Sequence, residues 1–292
     1  MTAATNPAPL RPKSALSETM ARLLGDKPLV RLLICLAVLV LVAVLAPVIS
    51  PHDPLKAVAD LSNMPIGSDG LLLGSDNQAR DLLARTIYGT RISLVVAIVP
   101  TVAATTLSVA IGLLAGYAGG RVDAALMAVL DVFFAFPIVL LAIAVAGVMG
   151  PGLLTIMVSI FVVLLPYITR VARTSTMQVT QRTYVEAARS AGAPAGAILV
   201  RYVLPNMIGP VLVYATTLIG LMIVVASGLS FLGLGVQPPT ADWGAMVAEG
   251  SGVLRGSPHV TFVPGAMIVL TALLFNLIGD RLRDLFDPRK GS

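Results

Sequence analysis

Few side chains in this sequence are of the types that catalyse reactions or bind metals. There are two histidines, His52 and His259, and one cysteine, Cys35, which lies inside an apolar run. A disulfide framework or a cysteine-based metal site is therefore excluded, and a histidine-rich metal site is not expected. The sequence contains no Gly-x-x-x-x-Gly-Lys-Ser/Thr, Gly-x-Ser-x-Gly or His-Glu-x-x-His pattern, which are the patterns of a P-loop, a nucleophile elbow and a zinc protease. We predict no catalytic, cofactor-binding or metal-binding residues.

A polar stretch from Thr183 to Gly192 has the spacing of a short helix with one small apolar face. The residues of that face recur at i, i+3, i+4 and i+7; they are Tyr184, Ala187, Ala188 and Ala191. Gly192 can adopt the left-handed conformation that terminates a helix. Small alanines permit close approach of another surface, and Glu186 and Arg189 occupy the other faces. The spacing alone leaves two interpretations open, a docking surface for another protein and a solvated helical hairpin.

The composition predicts that the chain segments on either side of this stretch lie in a lipid bilayer. Of 292 residues, 57% are hydrophobic and 12% are charged, with a mean hydropathy of +0.90. Soluble proteins contain about 25% charged residues, so this chain cannot form an ordinary soluble surface. A membrane helix needs about 20 mainly apolar residues. The sequence predicts six such spans, at Leu32–Ile49, Ile92–Gly116, two between Ala124 and Arg170 with a turn at Gly147–Gly152, Met207–Ser227 and Pro258–Ile278.

The predicted spans divide the chain into segments of distinct character. The first span has too long an apolar core for a cleaved signal peptide, and we interpret it as an anchor. The helix-like spacing from Asp76 to Arg91 predicts an interfacial helix that leads into the second span. The predicted segments are an N-terminal tail (1–28), the anchor helix (29–50), an outer segment (51–91), a five-helix core (92–280) with a long polar loop (171–206), and a C-terminal tail (281–292).

The distribution of basic residues predicts the orientation in the membrane. With a cytoplasmic N-terminus, fifteen of the twenty Lys and Arg residues fall in cytoplasmic segments. The remaining five fall outside; they are Lys56, Arg80, Arg85, Arg91 and Arg255. Cytoplasmic segments of membrane proteins carry the excess of Lys and Arg. Both termini and the 171–206 loop are therefore predicted to be cytoplasmic, and the basic balance does not indicate a nucleic-acid partner.

Within the spans, one charge and one glycine pair stand out. Asp131 is the only charge between Ala124 and Arg170, and a carboxylate inside a span must face protein or water. It is either a polar wall of a translocation pathway or a buried structural partner of a nearby donor. Gly112 and Gly116 form a Gly-x-x-x-Gly pair, which predicts close helix packing.

The long polar loop resembles a known signature. Glu186-Ala187-Ala188, three residues, Gly192, and then Leu204-Pro205 resemble the EAA motif of the membrane subunits of bacterial ABC importers. In that family this loop forms a coupling helix that docks into a separate ATP-hydrolysing subunit. The resemblance implies that the docking residues are Tyr184, Glu186, Ala187, Ala188, Arg189, Gly192, Leu204 and Pro205. Tyr202 replaces the isoleucine that usually precedes the Leu-Pro pair by two positions.

Four further blocks, in the same order, resemble the dipeptide/oligopeptide/nickel permease family of the DppC or OppC type. They are Leu73–Asp76 with Arg80-Asp81, Ala115–Gly120 with Asp123, Leu229–Pro239 with Trp243-Gly244, and Asn276 with Gly279-Asp280 through Asp287-Pro288-Arg289. The family commonly has glycine where Ala79 stands. The resemblance implies an all-α membrane protein with the six-helix, MetI-like permease fold of type I ABC importers, multi-pass in the bacterial inner membrane.

The resemblance also implies the partners and the activity. We expect a second, homologous permease subunit, two ATP-binding subunits that carry ATP and Mg²⁺, and an extracytoplasmic substrate-binding protein. The expected cargo is dipeptides or oligopeptides, with nickel, glutathione or opines as alternatives. An ion-gradient-driven transporter is a weaker hypothesis because it needs intramembrane acids or histidines, and only Asp131 is present. A membrane-embedded hydrolase would need a nucleophile–base pair, which the sequence lacks.

Overall fold

The computed structural model describes residues 23, 25–58, 61–68 and 70–286, and the regular structure within them is helical. The α-helices with described bounds are, in chain order, α1 (Lys27–Ile49), α2 (Leu82–Ala118), α3 (Gly120–Phe134), α4 (Ile138–Met149), α5 (Leu153–Thr180), α6 (Thr183–Ser190), α7 (Ala195–Ile198), α8 (Leu204–Phe231), α9 (Trp243–Ser251) and α10 (His259–Phe286). A π-helical segment, Leu199–Val203, joins α7 to α8. Most of the predicted N-terminal tail and the last six residues of the C-terminal tail lie outside the described residues.

The predicted fold of six membrane spans is confirmed. Five spans are single stretches of helix, namely α1, α2, α5, the continuous stretch from α7 through α8, and α10. The sixth consists of α3 and α4, which together are apolar enough to cross a membrane but meet at an angle of 86°. The predicted turn after Gly147 is also present, because α4 ends at Met149 and Gly150 has a φ of +78°.

The third span is not one continuous helix, because it is interrupted just before Pro137. The helix stops at Phe134, and Pro137 is the residue that precedes α4. Proline has no N–H to donate, and it disfavours the helical conformation of the residue before it. The chain therefore breaks completely between Ala135 and Pro137 instead of bending within one helix.

The predicted interfacial helix from Asp76 to Arg91 is wrong. The α2 helix begins at Leu82, where the Asp81 carboxylate accepts a hydrogen bond from the Leu83 N–H as an N-cap. From there it continues without interruption for 37 residues, which is about 55 Å at 1.5 Å per residue. The segment before Asp81 is irregular, with isolated bridges that join Ala57 to Arg80 and Ser75 to Asp81.

The core lies where α2, α5 and α8 pack together. Buried aliphatic side chains fill the space between these helices; they include Ile156, Ile160, Leu164, Ile168, Met207, Val211 and Met222. Glycine brings the backbones close at two contacts. Gly112 and Gly116 of α2 lie directly against Ala172–Thr176 of α5, and Gly220 of α8 lies against Ala272 and Asn276 of α10.

The antiparallel helices give the bundle two ends. The α6 end carries the turn between α2 and α3, the segment from α6 to α7, and the C-terminus of α10. The α9 end carries the segment after α1, the turn between α4 and α5, and α9. At the α9 end the Gly152 N–H donates to the Leu234 carbonyl, and the Asn77 side chain donates to the Glu249 carbonyl, which ties these loops together.

Candidate functional site

The α6 helix presents its predicted small face to solvent and is held by one buried side chain. Tyr184 is 42% exposed and Val185 is fully buried. Ala187 and Ala191 are exposed, and Ala188 is half-buried. Val185 contacts the main core and so attaches the helix to the bundle. The spacing analysis did not identify Val185; its β-branched apolar side chain between Tyr184 and Glu186 was the available signal.

The end of α6 is fixed by its backbone. Gly192 has a φ of +79°, in the left-handed region that favours glycine. The Gly192 N–H donates to the Arg189 carbonyl at 3.0 Å, and the Ala193 N–H donates to the Ala188 carbonyl at 3.1 Å. This pair of bonds is a Schellman motif, which satisfies carbonyls that the helix end leaves free. The chain turns sharply here and returns towards α8.

The segment between α6 and α8 connects the loop to the core. Ile198 and Val203 are buried, and the Leu204 N–H donates to the Leu199 carbonyl in the π register. Leu204 and Pro205 begin α8, so the missing N–H of Pro205 falls where the π-helical segment passes into the α-helix. The α6 helix also contacts α2, because the Arg189 guanidinium lies 5.7 Å from the ring centroid of Tyr117 at the end of α2.

Charged pairs join α3 to α5 at the same end. Asp131 accepts a hydrogen bond from Arg170 at 2.5 Å, and Asp123 accepts two from Arg173. The Arg170 guanidinium also lies 3.6 Å from the ring centroid of Phe134, the last residue of α3. Arg170 therefore holds α3 immediately before the break in the third span.

A cavity of about 370 Å³ lies beside these pairs. The Asp131 and Arg170 side chains are 56% and 42% exposed on this chain. The structure therefore gives Asp131 an ionic partner and places it on the surface between α3 and α5.

A buried network of charges joins the two loops of the α9 end. The Asp76 carboxylate accepts from Arg80 Nε at 2.7 Å, and Glu249 accepts from Arg80 Nη2 at 2.8 Å and from Arg85 Nη2 at 3.0 Å. The two arginine side chains are at most 2% exposed, Asp76 is 3% exposed and Glu249 is 15% exposed. Sequence reasoning placed Arg80 and Arg85 as external charges and did not identify the network.

The only tryptophan, Trp243, lies at the centre of the α9 end. Its indole N–H donates to the Thr86 carbonyl at 3.1 Å, and its ring covers Gly89, where a Cβ would approach within 2.8 Å. Asp242 caps α9 by accepting from the Ala245 N–H, and it also accepts from the Ser93 hydroxyl. Burial raises the pKa of the Asp242 carboxyl, and hydrogen bonds from Ser230, Ala245 and Ser93 oppose that rise.

The histidines at this end take part in local contacts. The His52 ring donates from Nδ1 to Asp81 at 2.7 Å, and the His259 ring donates from Nε2 to the Met64 carbonyl at 3.0 Å. In the described part of the chain, no three His, Cys, Asp or Glu side chains are grouped so that they could hold a metal ion.

Residues 108–292 match the family model described as "Binding-protein-dependent transport system inner membrane component". The chain belongs to this family. Residues 14–65 also match a model described as the N-terminal transmembrane domain of oligopeptide transport permease C. The chain is therefore the permease subunit of an ABC importer and a multi-pass protein of the inner membrane. The predicted resemblance to the DppC or OppC type is confirmed.

Among curated relatives of this permease, a glutathione transport system permease protein, GsiD, of Pectobacterium atrosepticum is 40% identical over 86% of this chain and 83% of its own length. A di/tripeptide transport system permease protein, DppC, of Pseudomonas aeruginosa is 38% identical over 88% of this chain and 86% of its own length. Both alignments cover most of each protein.

The fold of the permease is similar to that of a solved transporter. In an inward-facing structure of the MetNI methionine ABC transporter, a chain superposes with a TM-score of 0.58 at 18% identity, over 70% of this chain and 97% of that chain. The MetI-like permease fold predicted from the sequence is confirmed at this level.

Proposed function

We propose that this permease imports dipeptides or other small peptides, with ATP hydrolysed by separate subunits that dock against α6. The α6 surface is the observation that carries the proposal. Its small face is exposed, while Val185, Ile198 and Val203 hold the loop in the core. A movement of α6 is therefore transmitted to α5 and α8 through packed side chains. The contact between Arg189 and Tyr117 also connects α6 to the end of α2.

The energy for transport comes from partner subunits in this proposal. The sequence has no P-loop, so we assign ATP and Mg²⁺ to two ATP-binding subunits and no cofactor to this chain. A second, homologous permease subunit completes the pathway, and an extracytoplasmic binding protein delivers the substrate. The inward- and outward-facing forms must bind the ATPases with different affinity, because a partner can shift a conformational equilibrium only through such a difference.

The names of the relatives support a small peptide as the cargo. Glutathione is a tripeptide, and the second relative is named for dipeptides and tripeptides. Both names therefore describe short peptides, whereas nickel or an opine would be a different class of solute. An ion-coupled mechanism is not favoured, since it needs acids that are available to bind the coupling ion, and Asp131 and Asp123 are each paired with an arginine.

A charge reversal at Glu186 tests the coupling role of α6. Glu186 is exposed on the loop, so Glu186→Lys changes the docking surface without disturbing the core. We expect normal membrane insertion and binding-protein recognition, but at least tenfold less substrate uptake per ATP hydrolysed, which is about 1.4 kcal/mol of coupling. The measurement is peptide uptake and ATP hydrolysis by the complete importer in proteoliposomes.

The matched control is Asp280→Lys, the same reversal on the exposed surface of α10. It is expected to retain the wild-type ratio of uptake to hydrolysis. Normal coupling in Glu186→Lys, or equal losses in both variants, would contradict the assigned role of α6. Uptake of a solute other than peptide by the wild-type importer would contradict the substrate class alone.

A further inference from the structure

Two adjoining cavities at the α9 end meet at a single arginine. The upper cavity, of about 800 Å³, lies between the end of α1, the segment after it, and the α2 residues Tyr88 and Arg91. The lower cavity, of about 360 Å³, is an apolar groove between α1 and α2. Arg91 and Val95 line both cavities, so the two form one continuous site. Polar and apolar residues together line its upper part, and its lower part is apolar apart from Arg91.

The depth of Arg91 in the membrane follows from its neighbours. The apolar helix α1 ends at Ile49, and Pro47 and Ser50 line the upper cavity opposite Arg91. Arg91 therefore lies where the hydrocarbon region ends and the headgroup region begins. The groove below it runs between Val40 and Val44 of α1 and Val95 and Val99 of α2, and from Arg91 to Val99 it descends about 12 Å at 1.5 Å per residue.

The charges around the upper cavity favour an anion there. Arg91 is exposed and makes no ion pair with any residue that the structure describes. The nearby acids are already paired, because Asp53 lies 3.3 Å from the Lys56 amine and Asp81 binds His52. Tyr88 and Thr240 also line the cavity, and their side chains carry hydroxyl groups that can donate hydrogen bonds. An arginine guanidinium binds phosphate through two parallel N–H donors.

We propose that this site binds an anionic phospholipid, with its phosphate at Arg91 and an acyl chain in the groove between α1 and α2. The lipid would fill the space beside α1, which is mostly exposed along its length. It would thereby fasten the anchor helix to the core. This inference depends on the membrane location of the chain but not on its substrate or its coupling mechanism.

Native mass spectrometry of the complete importer, delipidated in detergent, measures lipid binding and so tests the site. The probes are phosphatidylglycerol and phosphatidylcholine with the same acyl chains. We expect the wild type to bind phosphatidylglycerol about fivefold more tightly than phosphatidylcholine. This is the difference in affinity that one basic residue near an anionic headgroup supplies. Arg91→Gln should remove this preference, whereas Arg255→Gln, an exposed arginine at the same end of the bundle, should retain it.

A second pair of variants tests the groove separately from the charge. Val95→Trp should weaken the binding of both lipids, because the larger side chain occupies space in both cavities. Val102→Trp, at an exposed position about two turns further along α2, should not. Equal binding of the two lipids to the wild type, or an unchanged preference in Arg91→Gln, would overturn the proposal. Displacement of phosphatidylglycerol by millimolar inorganic phosphate would indicate a site for a soluble anion. Cross-linking of a cysteine at position 95 to another subunit would show that protein covers the groove, and either result would also overturn it.

Discussion

Asp76, Arg80, Arg85 and Glu249 form a group whose charges balance in the buried part of the α9 end. Removal of a charge from water costs several kcal/mol, and only a close partner compensates for it. Each arginine therefore depends on its carboxylates, and each carboxylate on its arginines. The network connects the loop before α2 to α9, so these charges fix the position of one loop relative to the other.

Arg85→Met tests this dependence, because it leaves an excess negative charge in the buried network. We expect a loss of about 3–5 kcal/mol of stability, the usual cost when one partner of a buried pair is removed. Thermal unfolding followed by the fluorescence of Trp243 measures the loss of stability. Trp243 is the only tryptophan in the sequence and is fully buried at the same end, so its fluorescence reports on the unfolding of this end. Arg255→Met, on the exposed surface, should unfold like the wild type.

A double variant, Arg85→Met with Glu249→Leu, restores the balance of charge and should recover part of the lost stability. If Arg85→Met and Arg255→Met unfold at the same temperature, the network contributes nothing to the stability of this end.

Sequence reasoning could not find these partners, because they are separated along the chain. Arg80 and Glu249 are 169 positions apart, and neither has a local pattern that indicates the other. The same limit applies to Arg170 and Asp131, which are 39 positions apart. By contrast, the conformation of Ala79 has a local cause. Its φ of +59° lies in the left-handed region, which favours glycine, and glycine is the residue that the family resemblance led us to expect at this position.

Among the helices, the contact between α2 and α5 depends on the small size of its residues. Lipid supplies no hydrophobic drive for helix association, so the helices rely on close packing. A Cβ at Gly112 would lie 2.4 Å from Ala172 Cβ and 2.8 Å from the Arg173 backbone nitrogen. The backbone contact means that a larger residue cannot be accommodated by a rotation of one side chain.

Gly112→Ala should therefore destabilise the protein by about 1–3 kcal/mol, the usual cost of overpacking. Thermal unfolding of the purified protein in detergent measures this change. The control is Gly228→Ala in α8, where an added Cβ has no neighbour within 4 Å. There the better helix propensity of alanine should leave stability unchanged or raise it by up to about 1 kcal/mol. A Gly112→Ala protein as stable as Gly228→Ala would show that the two helices are less tightly packed than described.

The spans could be predicted because their signal is local, whereas their ends could not. Charge-free intervals located all six spans, since a charge inside the bilayer is costly wherever the helix packs. The start of α2 was misplaced because the charge-free interval begins after Arg91, whereas the helix begins at Leu82, where Asp81 caps it. A helix can continue beyond the membrane border, so a charge at the border does not mark its first residue. The break before Pro137 could not be predicted, because a proline in a span permits either a kink or a complete break, and packing decides which one forms.

At the scale of the whole molecule, the two ends have different chemistry. The α6 end carries an exposed loop that the buried side chains of Val185, Ile198 and Val203 attach to the core, and the α9 end carries the buried charges and the buried Trp243. The position of the α6 loop was predictable from the Glu-Ala-Ala and Gly192 spacing. Its attachment through Val185, and the pairing of Asp131 with Arg170, required the three-dimensional structure because they depend on which helices become neighbours.

The orientation of these ends in the membrane decides whether the proposed mechanism is possible, because an ATPase in the cytoplasm can reach only a cytoplasmic α6. The excess of Lys and Arg predicts this orientation. In a background with Cys35→Ala, a cysteine at Ser251 should react with a membrane-impermeant maleimide in spheroplasts. One at Ser190 should react only after the membrane is permeabilised, and both positions are exposed on the protein. The reverse pattern would place α6 outside the cell, where it could not couple transport to cytoplasmic ATP hydrolysis.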